Sequence, residues 1–276
     1  MATNVHTVAQ TGFGTGTNEL YDRARPSYPV ASLDQIYGVA KSTGSTEGLH
    51  IVEIGAGTGI FTRAFLAHKE AETIARLKAV EPSEGMRDVF TKTVNNPIVT
   101  IQEGTFDSTG VDDGWADLVI IAQAFHWCPD YDKACAEFAR ILKKNGAVIF
   151  IWNLEDREGA AWVASLRDRV ESHEQGTPQF RLDLWRAAFG TTSYLSSFEP
   201  QHETTYEYHL LGTVPIVTTR AQTKSYIAVL PADEKAKVVE DVKGILAKGE
   251  GMKWIDEAKG EFEYPYKTLV IVSKRK

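Results

Sequence analysis

Two hydrophobic periods alternate along the first half of the chain. Short apolar runs of four to seven residues read as buried strands, and stretches with helical spacing separate them. Strands are expected at Ile51–Ile54, Leu77–Val80, Ile98–Gln102, Asp117–Ala122 and Ala147–Trp152. Helices are expected at Val30–Ala40, at Ile60–Lys69, after Ser83 with Met86, Val89 and Phe90 inward, and at Tyr131–Leu142. Lys143-Lys144-Asn145-Gly146 would end the last of these with cations and a C-terminal glycine. Repeated β-α units predict a mostly parallel sheet covered by helices on both faces, a Rossmann-like doubly wound α/β fold. The second half reads differently. Helical stretches at Glu158–Glu174, Phe180–Phe189 and Pro231–Gly249 surround strands at Thr205–Leu211 and Phe262–Val272. A strand, an insertion and a strand predict an antiparallel pair closing the sheet edge, with helices over or beside the ligand pocket. The expected organisation is a flexible tail at 1–20, a nucleotide-binding core at 21–153, and helical insertions with the last strands of the same domain at 154–276.

The polar clusters fall at strand ends, where ligands bind in such sheets. After the first strand comes Gly55-Ala56-Gly57-Thr58-Gly59, a turn that lets a ligand lie against backbone. Glu81 ends the second strand, about twenty residues past Gly59, where an acid can accept from both ribose hydroxyls. Thr105-Phe106-Asp107 follows the third, and Gln123-Ala124-Phe125-His126-Trp127 the fourth. Upstream, Tyr21-Asp22-Arg23-Ala24-Arg25-Pro26-Ser27-Tyr28-Pro29 has two prolines that force extended backbone. Its tyrosines and arginines suit a lid over a charged ligand, or equally a linker packed on the core.

Composition narrows the chemistry. A net charge of −7 argues against a general nucleic-acid binder, and no apolar run reaches membrane-spanning length. Cys128 and Cys135 are too few for a disulfide framework, and metal-ligand spacing is absent. The N-terminus lacks a basic-then-apolar signal, so a cytoplasmic protein is expected. The glycines do not follow the dinucleotide spacing, because Ile60 stands where the third glycine belongs. No cation precedes Arg63 in the turn, and Glu53 would repel a phosphate. One ribose, an amino group, a sulfonium and no phosphate fit this acidic rim better, which points to S-adenosylmethionine.

The Glu53–Gly59 turn, Glu81, Gly104–Asp107 and Ala122–Trp127 together resemble class I S-adenosylmethionine-dependent methyltransferases. Tyr21–Pro29 is similar to the Y-x-x-x-R-P-x-Y-P motif of the small-molecule branch typified by trans-aconitate methyltransferase. Thr223-Lys224-Ser225-Tyr226 with Leu230-Pro231 is similar to its late S-Y-x-x-x-x-P motif. The resemblance implies seven strands with the last antiparallel. It implies that Gly55, Ala56, Gly57, Thr58 and Gly59 line the methionine part of the cofactor, with Glu53 holding its amino group. Glu81 would take the ribose, with Pro82, Ser83 and Met86 near the adenine. Thr105, Phe106 and Asp107 would meet the adenine, Phe106 standing where the family usually has a small residue. Gln123 and Ala124 would pass under the sulfonium, and Tyr21 and Arg25 would close the lid. Tyr28, His126, Trp127, Trp152, Trp162 and Trp185 are candidates for the acceptor pocket, with His126 a base or an orienting group. Each aromatic also has a plain core reading.

No basic groove with interleaved aromatics appears, so the expected partner is a small molecule, with no nucleic acid and no membrane. A monomer is expected, with a dimer as the alternative. The expected reaction is S-methylation of a thiol or dithiol metabolite of the gliotoxin kind, in secondary metabolism or detoxification. O-methylation of a carboxylic acid or hydroxyl is the alternative. A nicotinamide-dependent oxidoreductase and a binding protein without transfer are the readings from other classes.

Overall fold

The structure, a computed structural model, describes residues 18–276. Most of the expected tail, residues 1–17, lies outside these. Its last residues do not: a helix, α1, spans Asn18–Ala24.

In chain order the core elements are α2 (Val30–Ser42), β1 (Leu49–Ile54), α3 (Ile60–Leu66), β2 (Ile74–Val80), α4 (Glu84–Thr93), β3 (Val99–Gln102), β4 (Ala116–Ala122), α5 (Tyr131–Ile141) and β5 (Leu142–Glu155). After them come α6 (Ala161–Glu171), a 3-10 segment (Leu184–Gly190), α7 (Thr192–Ser197), β6 (His202–Gly212) and α8 (Val214–Gln222). The chain closes with α9 (Ser225–Ala228), α10 (Ala232–Lys248), β7 (Trp254–Asp256) and β8 (Glu261–Lys274).

Among the described residues the strands form one eight-stranded sheet in the order β3-β2-β1-β4-β5-β8-β6, with the short β7 paired to β8. β1 to β5 run parallel, and β8 is antiparallel to both β5 and β6. The sequence anticipated the seven-strand path; β7 is an addition. Strand order reverses between β1 and β4, so the connections that follow them leave towards opposite faces of the sheet, the place where ligands bind in such folds.

Both sheet faces are apolar. Val52, Ile54, Val119, Ile121, Val148 and Phe150 face one layer with Phe138, Tyr194 and Phe198. Ile51, Leu118, Ile120, Ile149 and Ile151 face the other with Leu33, Ile36, Phe61 and Phe65. The period of two therefore feeds two cores, which is why these strands read as continuous apolar runs.

Three expectations change. Gly146 does not end α5 in a left-handed turn. α5 stops at Ile141, Leu142 is already extended, and the following residues lead into β5. A Cβ on Gly146 would stand 2.8 Å from Leu142 Cδ2 and 2.9 Å from the Asp117 carbonyl, so close packing demands the glycine. β5 also runs past Trp152 to Glu155, because β8 pairs with it through Glu155 and Tyr266. That extension carries Asn153 and Glu155 to the ligand end of the sheet. The segment 180–189 forms short 3-10 turns rather than one helix.

The late helices have a core of their own. Trp162, Leu166 and Val170 of α6 meet Val217 of α8, Val238 and Val242 of α10, and Phe262 and Tyr264 of β8. Leu166 is buried in that cluster. Leu166→Ala is expected to cost about 2–5 kcal/mol, the range for emptying a buried leucine site. Urea unfolding followed by tryptophan fluorescence would measure it, and an unchanged midpoint would show that α6 is not held by this core.

Candidate active site

The glycine turn leaves β1 with Gly55 (φ 72°), Gly57 (φ 55°) and Gly59 (φ 85°) all left-handed. The Gly55 and Ala56 amides donate to the Val80 carbonyl at 2.8 and 3.2 Å, which hooks the turn over the end of β2. A Cβ on Gly55 would lie 2.5 Å from the Ala124 Cβ, so the ends of β1 and β4 touch at the switch point. A Cβ on Gly57 would meet nothing within 4 Å. That glycine faces open space, on the side where a ligand would lie.

Glu81 supports this turn directly. One carboxylate oxygen accepts from the Gly57 amide at 2.9 Å and the other from the Ser83 amide at 2.9 Å. Burial raises its pKa, against the pull of those two hydrogen bonds. Each oxygen keeps a lone pair for a ribose hydroxyl. Ser83 caps α4, its Oγ accepting from the Met86 amide at 3.3 Å, and Met86 is buried beneath. Asp107 accepts from its neighbour Thr105 Oγ1 at 2.7 Å. The Phe106 ring meets Phe125 edge-on at 5.7 Å and reaches towards Gly55.

Glu53 sits under the turn with 1% of its surface exposed. Its Oε2 accepts from Thr62 Oγ1 at 2.5 Å, and its Oε1 has no partner. Burial pushes its pKa up to about 8, with Glu81 adding to the rise and Thr62 and Arg63 opposing it. Thr58 Oγ1 nearby is also buried without a partner.

The segment 18–29 straps this turn to the late helices. Asp22 pairs with Arg63 at 2.6 Å, and Arg63 Nη1 donates to the Thr58 carbonyl at 2.8 Å. On the other side Arg220 Nε donates to the Ala24 carbonyl and Arg25 Nη2 to the Thr223 carbonyl, each at 2.8 Å. The Arg25 guanidinium lies 5.0 Å from the Tyr21 ring centre, and its Nε is buried without a partner. Tyr28 is buried and meets Phe61 edge-on at 5.2 Å. Asn153, from the unforeseen end of β5, donates to the Ser27 carbonyl at 3.0 Å.

After β4, Gln123 takes a left-handed φ of 58°, rare outside glycine, and its side chain donates to the Asn153 carbonyl at 2.9 Å. His126 follows. Trp152 Nε1 donates to its Nδ1 at 3.3 Å. Burial pushes the imidazole pKa down to about 3, and the Arg25 guanidinium adds to the fall. The imidazolium is thus disfavoured, which makes His126 a weak base.

The tryptophans do not form one pocket. Trp152 and Trp185 are wholly buried and pack with Phe180 at 4.5 and 4.9 Å from Trp152, a wall behind His126. Trp162 lies in the separate core of the late helices, against Phe262 and Tyr264. Trp127 is partly exposed, 5.3 Å from the His126 ring.

Sequence reasoning passed over a buried ionic group at the end of β5. Glu155 pairs with Lys224 at 2.7 Å and accepts from Tyr266 at 3.3 Å. Burial alone would raise its pKa, but Lys224 and Arg25 draw it down to about 2. Only a paired acid survives at such depth, so Glu155 and Lys224 hold α9 to the sheet.

Residues 52–150 match the family described as a methyltransferase domain. An uncharacterized methyltransferase-like protein of Schizosaccharomyces pombe is 30% identical over 218 residues, 79% of each chain. The chain is a class I S-adenosylmethionine-dependent methyltransferase. An uncharacterized methyltransferase of Mycobacterium bovis is 28% identical over 233 residues, 82% of each chain. The structure of a putative type II methyltransferase from Anaeromyxobacter dehalogenans has the same fold, with a TM-score of 0.62, 20% identity, and coverage of 91% of this chain and 97% of that one.

The methyltransferase site fits its cofactor. The open face at Gly57, the unpaired Glu53 oxygen and the unpaired Arg25 Nε offer a backbone cradle, an acceptor for an ammonium and a donor for a carboxylate. When bound, S-adenosylmethionine supplies an electrophilic methyl on sulfur. Glu81→Ala is expected to weaken binding of S-adenosylhomocysteine by about 1–3 kcal/mol, the cost of lost hydrogen bonds to a charged group. Unchanged affinity by calorimetry would refute the ribose assignment.

Glu53 gives a pH prediction. Its folded pKa lies above its ordinary 4.5, so the ionised form is disfavoured and its contribution to stability falls as pH rises towards 8. An ammonium placed on Oε1 favours the ionised form. At pH 7 binding of S-adenosylhomocysteine should therefore release close to one proton per site. Calorimetry in buffers of different ionisation enthalpy measures this. Glu53→Gln should abolish the release, and wild type releasing none would show that Glu53 does not receive the amino group.

Proposed function

We propose that this methyltransferase S-methylates a small thiol or dithiol, in secondary metabolism or detoxification. What carries this reading is the weak basicity of the rings nearest the expected acceptor position. His126 is held neutral with a pKa near 3, and burial drives the Tyr28 and Tyr266 hydroxyls well above 10. A phenol or alcohol needs a base at neutral pH, whereas a thiol near 8.5 ionises in useful amount unaided. The late arginines are also committed elsewhere. Arg167 pairs with Glu171, Arg169 with Asp241, Arg181 with Glu174 and Arg186 with Glu203, so none of these four forms a carboxylate clamp. In this reading the helices of 154–276 cover the acceptor and the strap at 18–29 closes over the cofactor. The protein acts as a cytoplasmic monomer without nucleic acid.

One observation favours a second reading. The buried Arg25 guanidinium bears on His126, and its charge would suit a carboxylic acid acceptor methylated on oxygen.

Labelled S-adenosylmethionine offered with dithiothreitol, benzoate and catechol separates these. Transfer to the dithiol is expected, rising about tenfold per pH unit below the thiol pKa as thiolate accumulates. Transfer to benzoate with a flat profile supports the second reading, and preferential transfer to catechol sinks both.

A further inference from the structure

The histidine after β4 is the one polar ring at the crevice that the strap and the glycine turn leave unexplained. Its surroundings define its chemistry. The indole N–H of Trp152 can only donate. It points at His126 Nδ1 across 3.3 Å, so Nδ1 accepts and carries no proton. The ring's hydrogen is then on Nε2. Trp152 has no freedom to turn away. It is wholly buried, stacked on Phe150 at 6.1 Å and packed with Phe180 and Trp185 at 4.9 and 4.5 Å. The Trp185 indole N–H is itself fixed on the Phe180 carbonyl at 2.8 Å. On the other side of His126, Nε2 has no hydrogen-bond partner among the described residues, and the residue is half-buried. Among the described residues Arg25 is the charge that bears on the ring, and it disfavours an imidazolium. At the neighbouring strand ends, Gln123 donates to the Asn153 carbonyl, and the Asn153 side chain donates to the Ser27 carbonyl and accepts from Thr268 Oγ1.

We infer that His126 is a positioning donor whose tautomer Trp152 locks, and that its Nε2–H holds the methyl acceptor by a lone pair instead of taking its proton. The target of the donor rests on the methyl-transfer reading; the lock rests on the indole geometry alone. The specificity consequence concerns the acceptor's state on arrival. A thiolate or carboxylate uses one lone pair for the Nε2–H and another to form the new bond to the methyl carbon. The carbon–sulfur bond breaks as that bond forms, its electron pair stays on sulfur, and no proton passes through the histidine. An acceptor that must lose its proton inside the pocket finds no taker at this position.

The test uses the full chain, labelled with 15N-histidine and saturated with S-adenosylhomocysteine. The spectrum should show a protonated Nε2 and a bare Nδ1, unchanged from about pH 5.5 to 9, whereas an ordinary histidine titrates near 6.5. In Trp152→Phe both signals should move towards the average of the two tautomers. A protonated Nδ1, a titration within that range in the wild type, or an unmoved spectrum in Trp152→Phe would overturn the lock. If Trp152→Phe does not fold, the wild-type spectrum still decides. A second arm reads transfer from labelled S-adenosylmethionine to dithiothreitol. His126→Gln keeps an N–H near the Nε2 position and should retain kcat within about threefold with the same pH slope. His126→Ala should lose about 10- to 100-fold, the effect of one positioned hydrogen bond to a charged acceptor. Equal losses in the two variants would overturn the donor role. Failure of every acceptor with the wild type would count against methyl transfer to thiols and leave the spectral result standing.

Discussion

At Gly55 and Gly59 the glycine turn approaches its neighbours so closely that no side chain fits, and the site is assembled around that approach. Gly55 stands against Ala124, and the Gly55 and Ala56 amides hang on the Val80 carbonyl. Those contacts tie the ends of β1, β2 and β4 together where the strand order reverses. Gly57 is then left facing open space with its amide held by Glu81. The acid at the end of β2 shapes the cradle through the Gly57 and Ser83 amides, and on the proposed ribose assignment it would also keep lone pairs for the ligand. Removing it would loosen the turn as well as a ribose contact, so binding and local order are coupled through one carboxylate.

A second constraint ties the two halves of the chain. The strap from Asn18 to Pro29 bonds to the glycine corner through Asp22, Arg63 and Thr58, and to the late helices through Ala24, Arg25, Arg220 and Thr223. Asn153 and Glu155 join the same junction because β8 lengthens β5. Their positions follow from antiparallel pairing with a strand more than a hundred residues away. The strap therefore senses both the cofactor corner and the helical layer, and neither can shift without straining its hydrogen bonds.

The core was legible because its signals are local. Apolar runs, glycine spacing, the Ser83 cap and the acid after β2 all express physics within a few residues. The Gly146 turn and the length of β5 were misread because both are set by distant partners, Asp117 and β8. The late tryptophans were grouped by type, but Trp162 belongs to a different hydrophobic core from Trp152 and Trp185. Glu155 and Lys224 lie sixty-nine positions apart, and no spacing rule connects them. His126 lies in the turn after β4, where its sequence position put it, and its chemistry stayed open. Its proton state depends on the indole of Trp152, which sequence alone cannot aim.

The charge states at the crevice bear on the reaction. Glu53 is mostly protonated at neutral pH until a cation meets it, and His126 is neutral. Before ligands bind, neither of these two groups adds a charge to the crevice. Methyl transfer from a sulfonium to an anion removes two charges as the bond forms. A dry surround solvates separated charges poorly, so it raises the reactants towards a transition state in which both charges are already fading. Transfer to a neutral acceptor gains nothing of this kind, because the positive charge merely moves. On the proposed reading, a pocket that fixes its histidine as a neutral donor and holds its tyrosine hydroxyls protonated would suit an acceptor that arrives ionised. The buried Arg25 guanidinium lowers the cost of bringing that anion out of water without supplying a base.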